Sequence, residues 1–162
     1  MLEFDRFTTR PISEKDLPFL KKLYHSTRKA EMDLVDWSDQ HKIEFLDMQF
    51  KAQHQHYHQY YPTAAFDIIE NEGEPVGRLY LDRREDEIRI VDIALLPQHC
   101  GLGIGSFFLK KIMAEAENKE LVVRIHVETF NPAKRLYERL KFNHIDTNGV
   151  YHLMEWAPQQ NR

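Results

Sequence analysis

The stretch from residue 87 to residue 127 limits the fold more than any other part of the chain. Residues 87–96 are rich in Ile and Val and read as a buried strand. The chain then passes Pro97 and alternates glycines at Gly101, Gly103 and Gly105. A helix over 104–118 follows, with Ile104, Phe108 and Ile112 on one stripe. Residues 121–127 are strongly β-branched and read as the next strand. Strand, helix and strand in that order demand a parallel crossover.

The rest of the chain surrounds this unit with hairpins and helices. Residues 4–10 read as a first strand, stopped by Pro11. Ser13 and Asp16 resemble a capping box for a helix whose apolar face carries Leu17, Leu20 and Tyr24. Ser38 caps a second helix reaching about His58, with Ile43, Leu46 and Phe50 as its stripe. Strands at 65–70 and 75–83 flank the turn Asn71-Glu72-Gly73-Glu74. A short helix is expected over 132–140. Strands at 142–146 and Tyr151–Trp156 close a hairpin across Asn148-Gly149. The predicted class is α/β of the mixed α+β kind: a central mixed, mostly antiparallel sheet of about six or seven strands, flanked by helices.

A chain of 162 residues fits one domain. Opposing charges nearly cancel, 22 Lys and Arg against 26 Asp and Glu, so no nucleic-acid or anionic-membrane partner is expected. No apolar run has the length of a bilayer span. The N-terminal residues carry charges and no cleavage pattern, so no signal peptide is expected there. Cys100 is the sole cysteine, which excludes an internal disulfide and points to a reducing compartment, the cytoplasm.

Glycines at the start of a helix that directly follows a buried strand have a chemical meaning. They let an anion approach the free amides and the positive end of the helix dipole. The candidate cradle comprises Cys100, Gly101, Leu102, Gly103, Ile104, Gly105 and Ser106. The plainer alternative is a tight turn without a ligand. The spacing is neither the dinucleotide-binding G-x-G-x-x-G nor a Walker loop.

These residues resemble the pyrophosphate loop of the GCN5-related N-acetyltransferases (GNAT), Arg/Gln-x-x-Gly-x-Gly/Ala. Gln98-x-x-Gly101-x-Gly103 matches by letters. Cys100-x-x-Gly103-x-Gly105 matches better by its distance from Pro97 and from the helix, and puts Cys100 where the family has Arg or Gln. A second stretch, Asn131 to Phe142, resembles the family's Asn-x-x-Ala-x-x-Leu-Tyr-x-x-x-Gly-Phe, with the Asn-to-Tyr gap one residue short and Lys141 in place of glycine. The likeness runs from about Pro75 to Trp156.

The resemblance implies acetyl-CoA as co-substrate and an amine as acceptor. Residues 1–62 would supply the acceptor side, and 63–162 the acetyl-CoA-binding core and C-terminal hairpin. The pantetheine arm would pair with the main chain of Ile93, Ala94 and Leu95, with an amide near Leu95 donating to the thioester oxygen. Tyr137 would protonate the leaving thiolate, or else pack structurally. Asn131 would bond the pantetheine, or else cap the helix behind it.

An attacking amine must lose a proton. Asp92 interrupts an apolar strand, and a carboxylate there must be paired or face a wet cleft. His126 shares a strand face with Glu128. Asp92 and His126 are the candidate bases; a salt-bridge network with Arg89 or Arg124 is the alternative. No metal site is expected: His54 and His58 lie i,i+4 but have no evident third ligand. The acidic group Glu31, Asp33, Asp36 and Asp39 would suit a cationic acceptor or be a solvated loop, and Trp37 with Tyr60-Tyr61 would line the acceptor pocket or fill the core. A small amine, an antibiotic amino group, a protein N-terminus and a lysine all remain open as acceptors. Dimerisation through an edge strand or the C-terminal hairpin is compatible with the pattern. Two other functions fit the loop: a non-catalytic acyl-CoA sensor, and a nucleotide-binding protein.

Overall fold

Seven strands form one sheet in a computed structural model that describes residues 4–159. In chain order these are β1 (Phe7–Pro11), β2 (Ala65–Asn71), β3 (Glu74–Arg83), β4 (Glu87–Leu95), β5 (Val122–Glu128), β6 (Asn143–Asn148) and β7 (Tyr151–Trp156). Among the described residues four α-helices accompany them: α1 (Leu17–Met32), α2 (Asp39–Tyr60), α3 (Ile104–Lys119) and α4 (Lys134–Arg139). The spatial order is β1-β2-β3-β4-β5-β7-β6. Every neighbouring pair is antiparallel except β4 and β5, which are joined through α3 as the crossover requires.

Each sheet face has its own core. On one face, α3 inserts Ile104, Phe108, Leu109 and Ile112 against Leu79, Leu81, Ile88, Ile90, Val123 and Ile125. On the other, Leu20 and Tyr24 of α1 meet Leu46 and Phe50 of α2 over Ile68. Ile43 departs from its expected stripe and is 45% exposed. It sits on α2 a turn before Leu46 and lines an open groove with His25 and Lys29 of α1.

Local chemistry sets the ends of the elements. The Ser13 amide donates to Asp16 Oδ2 at 2.8 Å, and Ser38 Oγ accepts from the His41 amide at 3.1 Å. Phe4 to Arg6 form a turn instead of the start of β1, because Phe4 stacks on Phe107 of α3 with centroids 5.1 Å apart. The last hairpin turns on Gly149 and Val150, one residue beyond the expected Asn148-Gly149, since Asn148 still pairs with Tyr151.

Helix α4 ends in a Schellman motif. The Phe142 amide donates to Tyr137 O and the Lys141 amide to Glu138 O, each at 3.0 Å. The Phe142 ring meets Tyr137 edge-on at 5.6 Å. Lys141 holds the left-handed position at φ 74°, where a Cβ is strained. Lys141→Gly is therefore expected to stabilise the fold by about 1 kcal/mol, raising Tm by roughly 2–4 °C in a calorimetric scan.

The start of α1 carries a pH dependence. Arg10 grips both oxygens of Asp16 at 2.8 Å, and this guanidinium lowers the Asp16 pKa from 3.8 to about 2. A depressed carboxylate contributes stability above its unfolded pKa and loses it as pH falls through its folded pKa. Asp16→Asn is expected to lower stability at neutral pH, and denaturant melts should show the gap from the native chain narrowing as pH drops from about 4 towards 2.

Candidate active site

The cleft originates in the backbone. Strands β4 and β5 pair only from Glu87↔Val122 to Ile90↔Ile125, and then separate. Across β4, the register with β3 steps from Leu81↔Ile90 to Tyr80↔Asp92, which leaves Val91 as an extra residue. Such a bulge bends a strand and increases its twist. The segment after Val91 thereby leaves β5.

The bulge also changes which side chains share a face. Plain alternation would place Asp92 with Ile90 in the α3 core. Instead Ile93 pairs with Leu79 and packs on that core, while Asp92 pairs with Tyr80 and stands on the α1/α2 side. His126 and Glu128 alternate with the buried Ile125 and Val127. Asp92, His126 and Glu128 consequently line one cleft, together with Ile93, Ala94, Asn131, Tyr137 and Tyr151.

The freed edge of β4 offers main-chain groups. The Leu96 amide donates to Val76 O at 2.9 Å, towards β3. Alternation then turns the amides of Leu95 and Ile93 towards the cleft and that of Ala94 towards β3. Ala94 thus reaches the cleft through its side chain. Gly77 lets β3 come this close: a Cβ there would lie 2.3 Å from Ala94 O.

The glycine loop is open. Gly101 and Gly103 adopt φ 75° and 87°, a conformation that costs glycine little. Phe107 is the first helical amide to bond back, to Gly103 O at 3.0 Å. The amides of Gly101, Leu102, Gly103, Ile104, Gly105 and Ser106 have no acceptor among the described residues. Six free donors at a helix N-terminus fit a diphosphate. Ile104 contributes only backbone, because its side chain is buried in the core. Cys100 offers no charge: its thiol donates to the carbonyls of Leu96 at 3.5 Å and Leu95 at 3.6 Å, and burial raises its pKa.

Tyr137 is 4% exposed and its hydroxyl has no hydrogen-bond partner among the described residues. Burial, reinforced by the charge of Asp92, raises its pKa, so the phenol stays protonated at neutral pH. Asn131 Oδ1 accepts the Ala133 amide at 2.9 Å, which delays α4 until Lys134. Its side-chain NH2 group and the second lone pair of Oδ1 are left for a ligand.

Charge in the cleft is arranged in pairs. Arg78, itself 4% exposed, donates through Nη2 to Asp92 Oδ2 and to Gln53 Oε1 of α2. Arg28 of α1 lies 3.6 Å from Glu128. Arg89 Nη1 contacts His126 Nδ1 at 3.3 Å. Burial and then Arg89 lower the His126 pKa, which keeps the imidazole neutral at pH 7. The expected network around Arg89 and Arg124 does form, but on buried Glu87 and not on Asp92.

Several other expectations fall elsewhere. His54 and His58 meet edge-on at 4.4 Å, stacked on Phe50 and Phe66. Trp37 stacks on His41, and Tyr60 is exposed; neither lines the cleft. Glu31 and Asp33 are paired with Arg28 and Lys29. Arg78, Gln53 and Tyr57, absent from the sequence-based candidates, also line the cleft, as does Tyr24 of the α1 apolar face. Arg78 carried a readable signal, a lone charge within the apolar run from Val76 to Leu81, of the same kind as Asp92.

The Acetyltransferase (GNAT) family profile matches residues 20–142. A ribosomal protein bS18-alanine N-acetyltransferase of Haemophilus influenzae is 32% identical over 86 residues, covering 52% of this chain and 58% of that protein. The match thus spans little more than half the length of that relative. A PaiA N-acetyltransferase of Thermoplasma acidophilum, solved with coenzyme A, superposes with a TM-score of 0.70 at 17% identity, over 93% of this chain and 98% of that one. The Escherichia coli ribosomal-protein-S18-alanine N-acetyltransferase gives 0.64 at 17% identity over 96% of both chains. These superpositions share the sheet and helix layers described above. With the profile covering well over half of its residues, the chain belongs to the GNAT acetyltransferase family.

Proposed function

We propose that this protein transfers the acetyl group of acetyl-CoA to the amine of a small molecule or a protein. One observation carries the reading: six amides at 101–106, unpaired among the described residues, adjoin the freed edge of β4, and Tyr137 lines the cleft along that edge. The diphosphate would lie on the loop amides and the pantetheine arm along Ile93 and Leu95. Solved structures of the same fold that hold coenzyme A or acetyl-CoA support acetyl-CoA as the co-substrate. The H. influenzae relative acts on a ribosomal-protein alanine, which keeps a protein N-terminus beside small amines as an acceptor class. Residues 1–62 would form the acceptor side of a single domain working in the reducing cytoplasm, as a monomer or a homodimer.

The chemistry follows from the groups in place. The amine nitrogen attacks the thioester carbon, and the Leu95 amide donates to the oxygen as it gains charge. The C–S bond then breaks. Tyr137 gives its proton to the thiolate sulfur, which restores a neutral thiol. The amine's proton passes to His126. Arg89 meets the His126 ring at 3.3 Å, a long contact that an arriving proton can displace. Asp92 serves less well, since Oδ2 is already held by Arg78. Asn131 would bond the arm through its amide group.

Calorimetry should show binding of coenzyme A but not of ATP or NAD, and an amine screen should show acceptor-dependent thiol release. Tyr137→Phe is expected to lower kcat by about 100-fold or more while leaving coenzyme A affinity unchanged. Full turnover in that variant would remove Tyr137 as the acid.

A base works only when unprotonated, so the rate should fall as pH drops through the base's pKa. For His126 that limb lies below its ordinary 6.5, because burial and Arg89 lower its pKa. His126→Gln is expected to abolish the limb in a pH–rate profile and Asp92→Asn to retain it. The opposite pattern would assign the base to Asp92.

A further inference from the structure

Arg78 stands at the junction of the acceptor layer and the donor strand. It lies on β3, opposite Ala94 in the ladder, just beyond the Tyr80↔Asp92 pair that marks the bulge. Its guanidinium joins two other elements. Nη2 donates to Gln53 Oε1 of α2 at 2.8 Å and to Asp92 Oδ2 of β4. Aromatic faces confine it: the guanidinium carbon lies 4.9 Å from the Tyr80 ring centroid and 5.9 Å from that of Tyr57. A cation this deeply buried is held only where its partners are fixed.

The position has a mechanical consequence. The freed edge beyond Val91 has no β5 ladder to hold it, since pairing stops at Ile90↔Ile125. Among the described residues, Arg78 is the side chain whose hydrogen bonds tie this edge to α2. The other limb has a matching tie, with Arg28 of α1 placed 3.6 Å from Glu128 of β5. Each acceptor helix is thus bound to one of the two diverging strands.

We propose that Arg78 is a positioning residue of the transfer reaction: it fastens the bulged segment of β4, through Asp92, to α2, and so sets where the acceptor amine meets the thioester. This rests on the acetyl-transfer reading above. Arg78 does not touch the reacting atoms. It acts through Asp92 and Gln53, and a displacement of about 1 Å at either can cost on the order of 100-fold in rate.

The test is a double-mutant cycle in the full-length chain, with acetyl-CoA and an amine that the native protein acetylates. Arg78→Met is expected to lower kcat/KM for the amine by roughly 10–100-fold, while coenzyme A affinity by calorimetry stays within about threefold. Arg78→Met combined with Asp92→Asn should be no worse than the more damaged single variant, because the pair acts as one unit. Gln53→Leu cuts only the α2 end, and should raise the amine KM with little change in coenzyme A affinity. It also serves if Arg78→Met fails to fold, as judged by circular dichroism. Arg78→Lys keeps the charge but not the fork, and should recover part of the lost rate. Native kcat/KM in folded Arg78→Met, multiplicative losses in the double variant, or native amine KM in Gln53→Leu would overturn the assignment. A native chain that neither binds coenzyme A nor releases thiol would instead overturn the acetyl-transfer reading.

Discussion

The parallel pairing of β4 with β5 stops after four residue pairs, and the rest of the site depends on that stop. A fully zipped ladder would leave no main-chain donors for a ligand and no space between the strands. The bulge at Val91 ends the pairing, and it does so while β3 still holds β4 from the other side. One edge of β4 is therefore structural and the other is free. The same bulge re-phases the strand, turning Ile93 into the core and Asp92 into the cleft. One inserted residue produces both the opening and its polar lining.

The second constraint is electrostatic. The cleft is half-buried, and ionised groups in such a place need partners. Asp92 has Arg78, Glu128 has Arg28, and Glu87 below them has Arg89 and Arg124. These pairs occupy the three carboxylates, while the Tyr137 hydroxyl has no partner among the described residues and His126 meets only Arg89 and the Tyr151 ring. The Tyr137 phenol is kept protonated by burial, and the His126 imidazole is kept neutral by burial and Arg89. Burial thus moves the phenol and the imidazole in opposite directions.

Much of the architecture was readable in the chain. The β-branched run at 121–127, the glycines after Pro97 and the stripe of α3 define the crossover, because period and turn chemistry are local properties. The helix caps at Ser13 and Ser38 were legible for the same reason. Misses occurred where a distant group intervened. Phe4 leaves the sheet to stack on Phe107, and Ile43 faces an open groove between α1 and α2. The C-terminal turn moved by one residue because the β6–β7 register, and not the Asn-Gly dipeptide, sets its position.

For the site, the sequence determined the chemical inventory: a glycine-rich helix start, a tyrosine in a short helix, and an aspartate and a histidine in apolar strands. It did so because each stands out against its immediate neighbours. Tertiary structure alone decided which of these groups are engaged. No local pattern could reveal that Arg78 of β3 crosses the sheet to hold Asp92 and Gln53, or that Arg89 reaches His126. Those contacts join residues 14, 25 and 37 positions apart in the chain, and only the packing of helices on a bulged, twisted sheet brings them together.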